Sequence, residues 1–232
     1  MRFSVPRIMH HFVQLVFPSV CPGCGRHLLS SEKAICRICQ TELPFTHFDM
    51  YDNPLADKLR AIEPVSGIFP LCYFNTGTAL QTLIHQLKYR RRKDIGYYLG
   101  SVLGEHLQQQ LTPHFKAVIP VPLHKKRLLW RGFNQSAVIA NGVASKLHLP
   151  VLSGQVLVRS KNTATQTHKS RNERFENVKN AFTVNIGVMP ENVILVDDVI
   201  TTGATALSCS NALLSAGCKQ VILASIAFAD DL

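Results

Sequence analysis

Asp197 and Asp198 stand side by side after the apolar run Val193, Ile194, Leu195 and Val196, and Thr201, Thr202, Gly203, Ala204 and Thr205 follow closely. Paired carboxylates accept hydrogen bonds from vicinal hydroxyls or from water held by Mg2+. Small residues ahead of a helix let backbone N–H groups close on a phosphate, and threonine hydroxyls add donors. Together these chemistries suit a phosphorylated ribose. A strand, an acidic turn and an N-capped helix would use the same residue types, but a helix start needs one capping residue rather than several threonines.

A second group of residues suits a metal. Cys21, Cys24, Cys36 and Cys39 form CPGC and CRIC, eleven residues apart, and two such knuckles can complete a tetrahedral Zn2+ shell. Four protein ligands leave no open position for a substrate, so the ion would be structural. Gly23 and Gly25 permit the tight turn at Cys24, and the thioredoxin-like context of a redox CxxC is missing. The cysteine total is seven; an odd number without a secretion signal is poorly explained by disulfides. Cys72, Cys209 and Cys218 are expected to be buried small hydrophobes.

The elements that must hold these groups can be read around them. Residues 193–196 read as a strand buried in a parallel sheet, with the acid pair at its carboxyl end, the edge where open α/β sheets bind ligands. Ala206, Leu207, Ser210, Leu213 and Leu214 then fall at helical spacing. Upstream, strands are expected over 68–74 and 116–121, and helices around 80–87, 95–111 and 133–147. Short strands follow at 156–159 and 181–184, and 221–228 closes the sheet. This alternation predicts an α/β fold with a doubly wound, mostly parallel sheet. The 232 residues, 46% hydrophobic, can build that core plus a small N-terminal zinc-binding module. The expected boundaries are 1–44 for an N-terminal helix and the cysteine module, 45–66 for a connector with a short helix near 55–61, and 67–232 for the α/β domain.

Arg2 and Arg7 precede an apolar stretch, but His10, His11 and Gln14 interrupt it and no small-residue cleavage site follows before Cys21. No apolar run approaches the roughly 18 residues of a membrane span. A cytoplasmic location without membrane insertion is expected.

Charge speaks to partners. Of the 25 Lys and Arg residues, ten fall between positions 88 and 131 against only Asp94 and Glu105, and six more fall between 159 and 179. Cations gathered in this way suggest an anionic ligand, pyrophosphate or nucleic acid; a solvated basic face is the plain alternative. Lys88 opens KYRRRK at a helix end, where cations also complement the macrodipole. Trp130, between Arg127 and Arg131, is expected to pack, since one aromatic in a basic loop is a weak stacking signal. Residues 162–180 are polar, carry Arg171 and Arg174, and suit a loop closing over a reacting sugar phosphate or an ordinary surface loop.

The stretch VILVDDVITTGAT (193–205) resembles the 5-phosphoribosyl-1-pyrophosphate (PRPP) motif of type I phosphoribosyltransferases. The wider order, a four-cysteine finger, IPVPLHKKRLLWRGFNQS, RSKNTATQTHKSRNERFENVKNAF and VILVDDVITTGAT, is similar to the ComF family of competence proteins over nearly the whole chain. The resemblance implies that Asp197 and Asp198 hold the ribose hydroxyls while Thr201, Thr202, Gly203, Ala204 and Thr205 cradle the 5′-phosphate; Lys88, at its basic helix end, is expected to bind the same PRPP by reaching the pyrophosphate charge. It implies that Val121, Pro122, Leu123, His124, Lys125 and Arg127 form a pyrophosphate loop leading to a helix near Gly132. Residues 162–180 would be the flexible catalytic loop, in which Arg171 meets the departing pyrophosphate; Thr165, Gln166 and Thr167 match the pattern without a derivable role. Mg2+ would accompany PRPP, and any reaction would displace pyrophosphate from C1 by a nitrogen nucleophile. The implied partners are PRPP, single-stranded DNA arriving during natural transformation, and DNA-uptake, helicase or recombination proteins. The alternative is a nucleotide-salvage phosphoribosyltransferase for a purine or pyrimidine; the cysteine module and the lack of any segment resembling a base-reading hood count against it.

Overall fold

The computed structural model describes residues 19–112, 114–152, 156–159, 181–185, 187 and 189–229. The expected N-terminal helix and the 162–180 loop, with Arg171, Arg174, Thr165, Gln166 and Thr167, lie outside them.

The elements run α1 (Arg37–Thr41), α2 (Pro54–Arg60), β1 (Gly67–Tyr73), α3 (Ala79–Arg90), α4 (Lys93–Gln110), β2 (Ala117–Pro120), α5 (Lys125–Arg131), α6 (Gln135–Leu147), β3 (Leu157–Arg159), β4 (Phe182–Val184), β5 (Asn192–Ile200), α7 (Ala204–Ser215) and β6 (Gln220–Phe228). The main sheet has the order β1-β6-β5-β2, and every pair in it is parallel. A further parallel bridge joins Val118 to Val151 outside β2.

Two expectations need correcting. The segments at 156–159 and 181–184 leave the main sheet and pair with each other as the antiparallel β3–β4 hairpin. The last strand, expected to close the sheet, instead lies inside it between β5 and β1: the α7 crossover sets β6 directly beside β5, and its apolar residues are buried from Val221 to Phe228.

Both faces of the sheet are covered, which is why its strands read as continuous apolar runs. Ile194, Val196, Ile222 and Ala224 pack with α3, α4 and α6. Val193, Leu195, Val221 and Leu223 pack with α2, α7 and the hairpin. On α3, Leu80, Leu83, Ile84 and Leu87 form one buried stripe, started by Thr78, whose hydroxyl accepts from Gln81 N–H.

Helices α4 and α6 approach backbone to backbone. A Cβ on Gly100 would stand 2.2 Å from the Ile139 carbonyl oxygen, one on Gly142 2.3 Å from that of Tyr97, and one on Gly104 2.9 Å from that of Val143. The glycines at 96, 100 and 104 recur every fourth residue and so share one face of α4. This close approach fixes α6, whose first turn enters the candidate site.

Candidate functional site

The acid pair sits deeper in its strand than the sequence suggested. Carboxylates end the apolar run at Val196, yet β5 continues to Ile200 because β6 supplies partners that far, with Asp197 opposite Ser225 and Ile200 opposite Phe228. On the other side, β2 ends at Pro120 opposite Val196. Asp197 therefore lies where the sheet has lost one neighbour and a ligand can approach.

Side chains alternate along a strand, so Asp198 shares the face of Ile194 and Val196, which α3 and α6 cover. It is buried, and its Oδ2 lies 2.9 Å from Lys88 Nζ at the last turn of α3. Asp198 Oδ1 accepts from Val199 N–H at 2.7 Å. Half-buried Asp197 accepts through Oδ1 from the Ser136 hydroxyl at 2.9 Å and from Asp198 N–H at 2.8 Å. Burial pushes the Asp197 carboxyl up to about 7, and the charge of Asp198 adds to this; the Asp198 N–H, Ser136 and Lys88 oppose it. A carboxyl raised in this way, by burial beside a second carboxylate, makes Asp197 a candidate functional group.

Beyond the strand the chain bends through Thr201 and Thr202 to Gly203, the N-cap of α7, with φ +76°. A Cβ there would also stand 2.5 Å from Leu59 Cδ2 of α2. Glycine is therefore required both by backbone conformation and by the packing of α2. Among the described residues no side chain caps α7, which leaves its first-turn N–H groups open to an anion. A cavity of about 70 Å³ lies against them, lined by Asp197 and the residues from Val199 to Ala206. A larger cavity of about 850 Å³ between α7 and β4 is lined largely by apolar side chains and shares only Ala204 with this one.

The expected pyrophosphate loop is only partly a loop. Val121, Pro122, Leu123 and His124 lie outside any helix or strand, but Lys125 and Arg127 belong to the short helix α5. His124 Nδ1 caps it by accepting from Lys126 N–H at 3.2 Å, and Gly132 ends it with φ +77°. Burial lowers the His124 imidazole pKa, and the cations Arg159, Lys126, Arg127 and Lys125 lower it further. The loop's start is held from two sides. Val121 N–H donates to the Val196 carbonyl at 2.9 Å, and Asn134 Nδ2 donates to the Val121 carbonyl at 2.9 Å.

Asn134 and Ser136 are site residues that motif reading missed. Asn134 is the N-cap of α6, accepting from Ser136 N–H at 3.0 Å. The signal was an Asn ahead of an apolar-periodic stretch, but only the fold brings Ser136 to Asp197. The structure thus gathers Lys88, Asp197, Asp198, the 199–206 turn and the Val121 strand end. Arg171 lies outside the described residues. The ends of its segment are anchored, however, by the pairing of Arg159 with Phe182, and Asp197 contributes to the electrostatic surroundings of Arg159.

The four cysteines also converge. Their sulfurs all lie within 4.8 Å of one another, with Cys21 to Cys39 at 3.7 Å and Cys24 to Cys36 at 3.5 Å. Four sulfurs about 2.3 Å from one tetrahedral ion stand about 3.8 Å apart, so this set can hold a metal. Glu32 braces it, accepting from Arg37 N–H, Leu29 N–H and Arg26 Nη2. Gly25, with φ +76°, makes the turn after Cys24.

With this geometry in view, the comparisons with known proteins are specific. A family model described as Phosphoribosyl transferase domain matches residues 134–231. The DNA utilization protein YhgH of Escherichia coli O157:H7 is 31% identical over 223 residues, covering 89% of this chain and 96% of that protein. This chain belongs to the ComF family. Within it, Competence protein F of Haemophilus influenzae is 29% identical, covering 87% of each chain. Among solved structures, adenine phosphoribosyltransferase from Leishmania donovani aligns with a TM-score of 0.41 and 16% identity, over 80% of this chain and 75% of that one. The ComF chain thus carries the phosphoribosyltransferase-type parallel sheet with a four-cysteine cluster at its N-terminal side. Among its described residues no helix is long and apolar enough to cross a membrane.

Proposed function

We propose that this ComF protein binds PRPP with Mg2+ at the carboxyl edge of β5 and handles single-stranded DNA in the cytoplasm during DNA uptake. One arrangement carries the reading: the uncapped first turn of α7 faces a small cavity lined by Asp197, whose neighbour Asp198 is paired with Lys88. The 5′-phosphate takes the α7 amides and the hydroxyls of Thr201, Thr202 and Thr205. The ribose hydroxyls take Asp197 and Asp198, and the pyrophosphate takes the Val121–His124 turn with Lys125 and Arg127. The two carboxylates are an all-oxygen donor set that fits Mg2+, which would be held through water and would neutralise pyrophosphate charge. Arg171 completes the charge around the leaving group when its segment closes.

The names of its relatives support a role in DNA use and competence, and the basic runs support an anionic polymer as partner. DNA-uptake, helicase or recombination proteins would act beside it. The cysteine cluster holds a structural Zn2+, and the division into 1–44, 45–66 and 67–232 follows from that role. The test is 31P NMR of PRPP with Mg2+ and the protein, with and without single-stranded DNA. Shifted resonances without free pyrophosphate identify a PRPP-binding DNA factor; pyrophosphate release that requires the Asp pair identifies a phosphoribosyltransferase. Unchanged resonances under both conditions would overturn the reading.

A further inference from the structure

Trp130 does not pack as its sequence context suggested. It is 66% exposed, its neighbour Leu129 is 84% exposed, and α5 buries none of its seven residues. An exposed Trp beside an exposed Leu is uncommon on a folded surface and marks an interaction site. Trp130 is not alone. Its ring meets Tyr89, itself 47% exposed, edge to face with centroids 5.7 Å apart. Arg131 lies over the same Tyr89 ring at 5.5 Å.

The KYRRRK run (88–93) and the basic helix α5 come together here, although more than thirty residues separate them. The Arg91 guanidinium lies 3.5 Å from where a Cβ would stand on Gly132, so the end of α3 abuts the end of α5. Exposed Arg90 and Arg91 therefore accompany exposed Lys125, Lys126 and Arg127. The two acids in this part of the chain are engaged elsewhere, Asp94 with Arg92 and Glu105 with Lys146. The adjoining residue Lys88 reaches Asp198, so one turn of α3 serves both the sugar-phosphate site and this surface.

We infer that Trp130, supported edge-on by the Tyr89 ring that His85 and Arg131 flank, forms a stacking platform for a base of single-stranded DNA, whose phosphates are met by Arg90, Arg91 and Lys126. The inference rests on the DNA-handling reading above and deepens it by naming where the strand sits. Every base offers a π-face, so aromatic rings set among cations bind a strand with little sequence preference.

Trp130 is the chain's single tryptophan, so its fluorescence reports this position alone in the zinc-loaded, full-length protein. Titration with oligothymidylate should quench it saturably. In parallel, anisotropy of a labelled oligonucleotide measures affinity independently of Trp130. Trp130→Ala should weaken that affinity about 5- to 100-fold with an unchanged salt slope, and Trp130→Phe should restore most of it. Both variants should bind PRPP as the parent protein does, which confirms folding. Tight oligonucleotide binding with unquenched Trp130 and an unaffected Trp130→Ala variant would overturn the platform while leaving DNA binding intact. Failure of the parent protein to bind the oligonucleotide would remove the DNA reading and the platform together. A blue shift on anionic phosphatidylglycerol vesicles, with no response to the oligonucleotide, would assign the surface to a membrane and overturn the inference.

Discussion

Asp197 is held in a state that costs stability when it is ionised. Burial raises its carboxyl from the ordinary aspartate range to about 7, so the folded state holds that proton more tightly than the unfolded chain. The stabilising proton is fully present below the unfolded value and is lost as pH rises through about 7. Asp197→Asn should therefore raise the melting temperature by about 2–4 °C at pH 8, measured calorimetrically, while removing PRPP affinity. On the proposed reading binding has the opposite sign, since a carboxylate accepts from ribose hydroxyls more strongly than a neutral carboxyl does. PRPP affinity should fall as pH drops from 8 to 6. Ser136 donates to this carboxylate and opposes the upward shift. Ser136→Ala should move the midpoint of that pH profile upward and weaken binding about tenfold at pH 7, read by titration calorimetry across pH.

At the scale of elements, close approach positions the site. Alanine normally favours a helix interior over glycine by about 1 kcal/mol. At Gly100 the 2.2 Å approach to the Ile139 carbonyl reverses that preference. Gly100→Ala should destabilise by about 1–3 kcal/mol, seen as a lower urea midpoint, and should disturb Ser136 by moving α6. The same scale explains what sequence reading could and could not reach. Strands β1, β2, β5 and β6 and helices α3, α4, α6 and α7 are visible because their apolar residues recur with the right period and face two covered sides. Helix α5 is not, since KKRLLWR buries nothing and so leaves no periodic signature; its ends are set by His124 and Gly132 instead. The extension of β5 past Val196 depends on its partner β6, and the hairpin depends on β3 finding β4. Asp197, Asp198 and the 201–205 turn could be singled out as candidates from sequence because their chemistry is local. Ser136 and Asn134 arrive through the packing of α6 and carry no local mark.

Across the whole molecule, the cysteine cluster is built into the main core. Cys21, Cys36 and Cys39 share a hydrophobic cluster with Leu83, Leu87, Leu99 and Ile194, and a Cβ on Gly23 would lie 3.6 Å from Leu83 Cδ2. Metal removal should thus be felt beyond the knuckles. Elemental analysis should find about one zinc per chain, and stripping it with a strong chelator should lower the melting temperature of the entire chain rather than release a separate small transition. A low-temperature transition confined to the N-terminal part would argue that the two parts are energetically independent.

Where PRPP binds decides whether the β5 edge is the sugar-phosphate site. The most direct measurement is titration calorimetry of PRPP with Mg2+ into the parent protein and the Asp197→Asn, Asp198→Asn double variant, with single-stranded DNA affinity followed alongside. Saturable binding by the parent, lost in the double variant while DNA affinity is retained, is the predicted result. PRPP affinity that survives both substitutions would contradict the assignment of the β5 edge as the sugar-phosphate site.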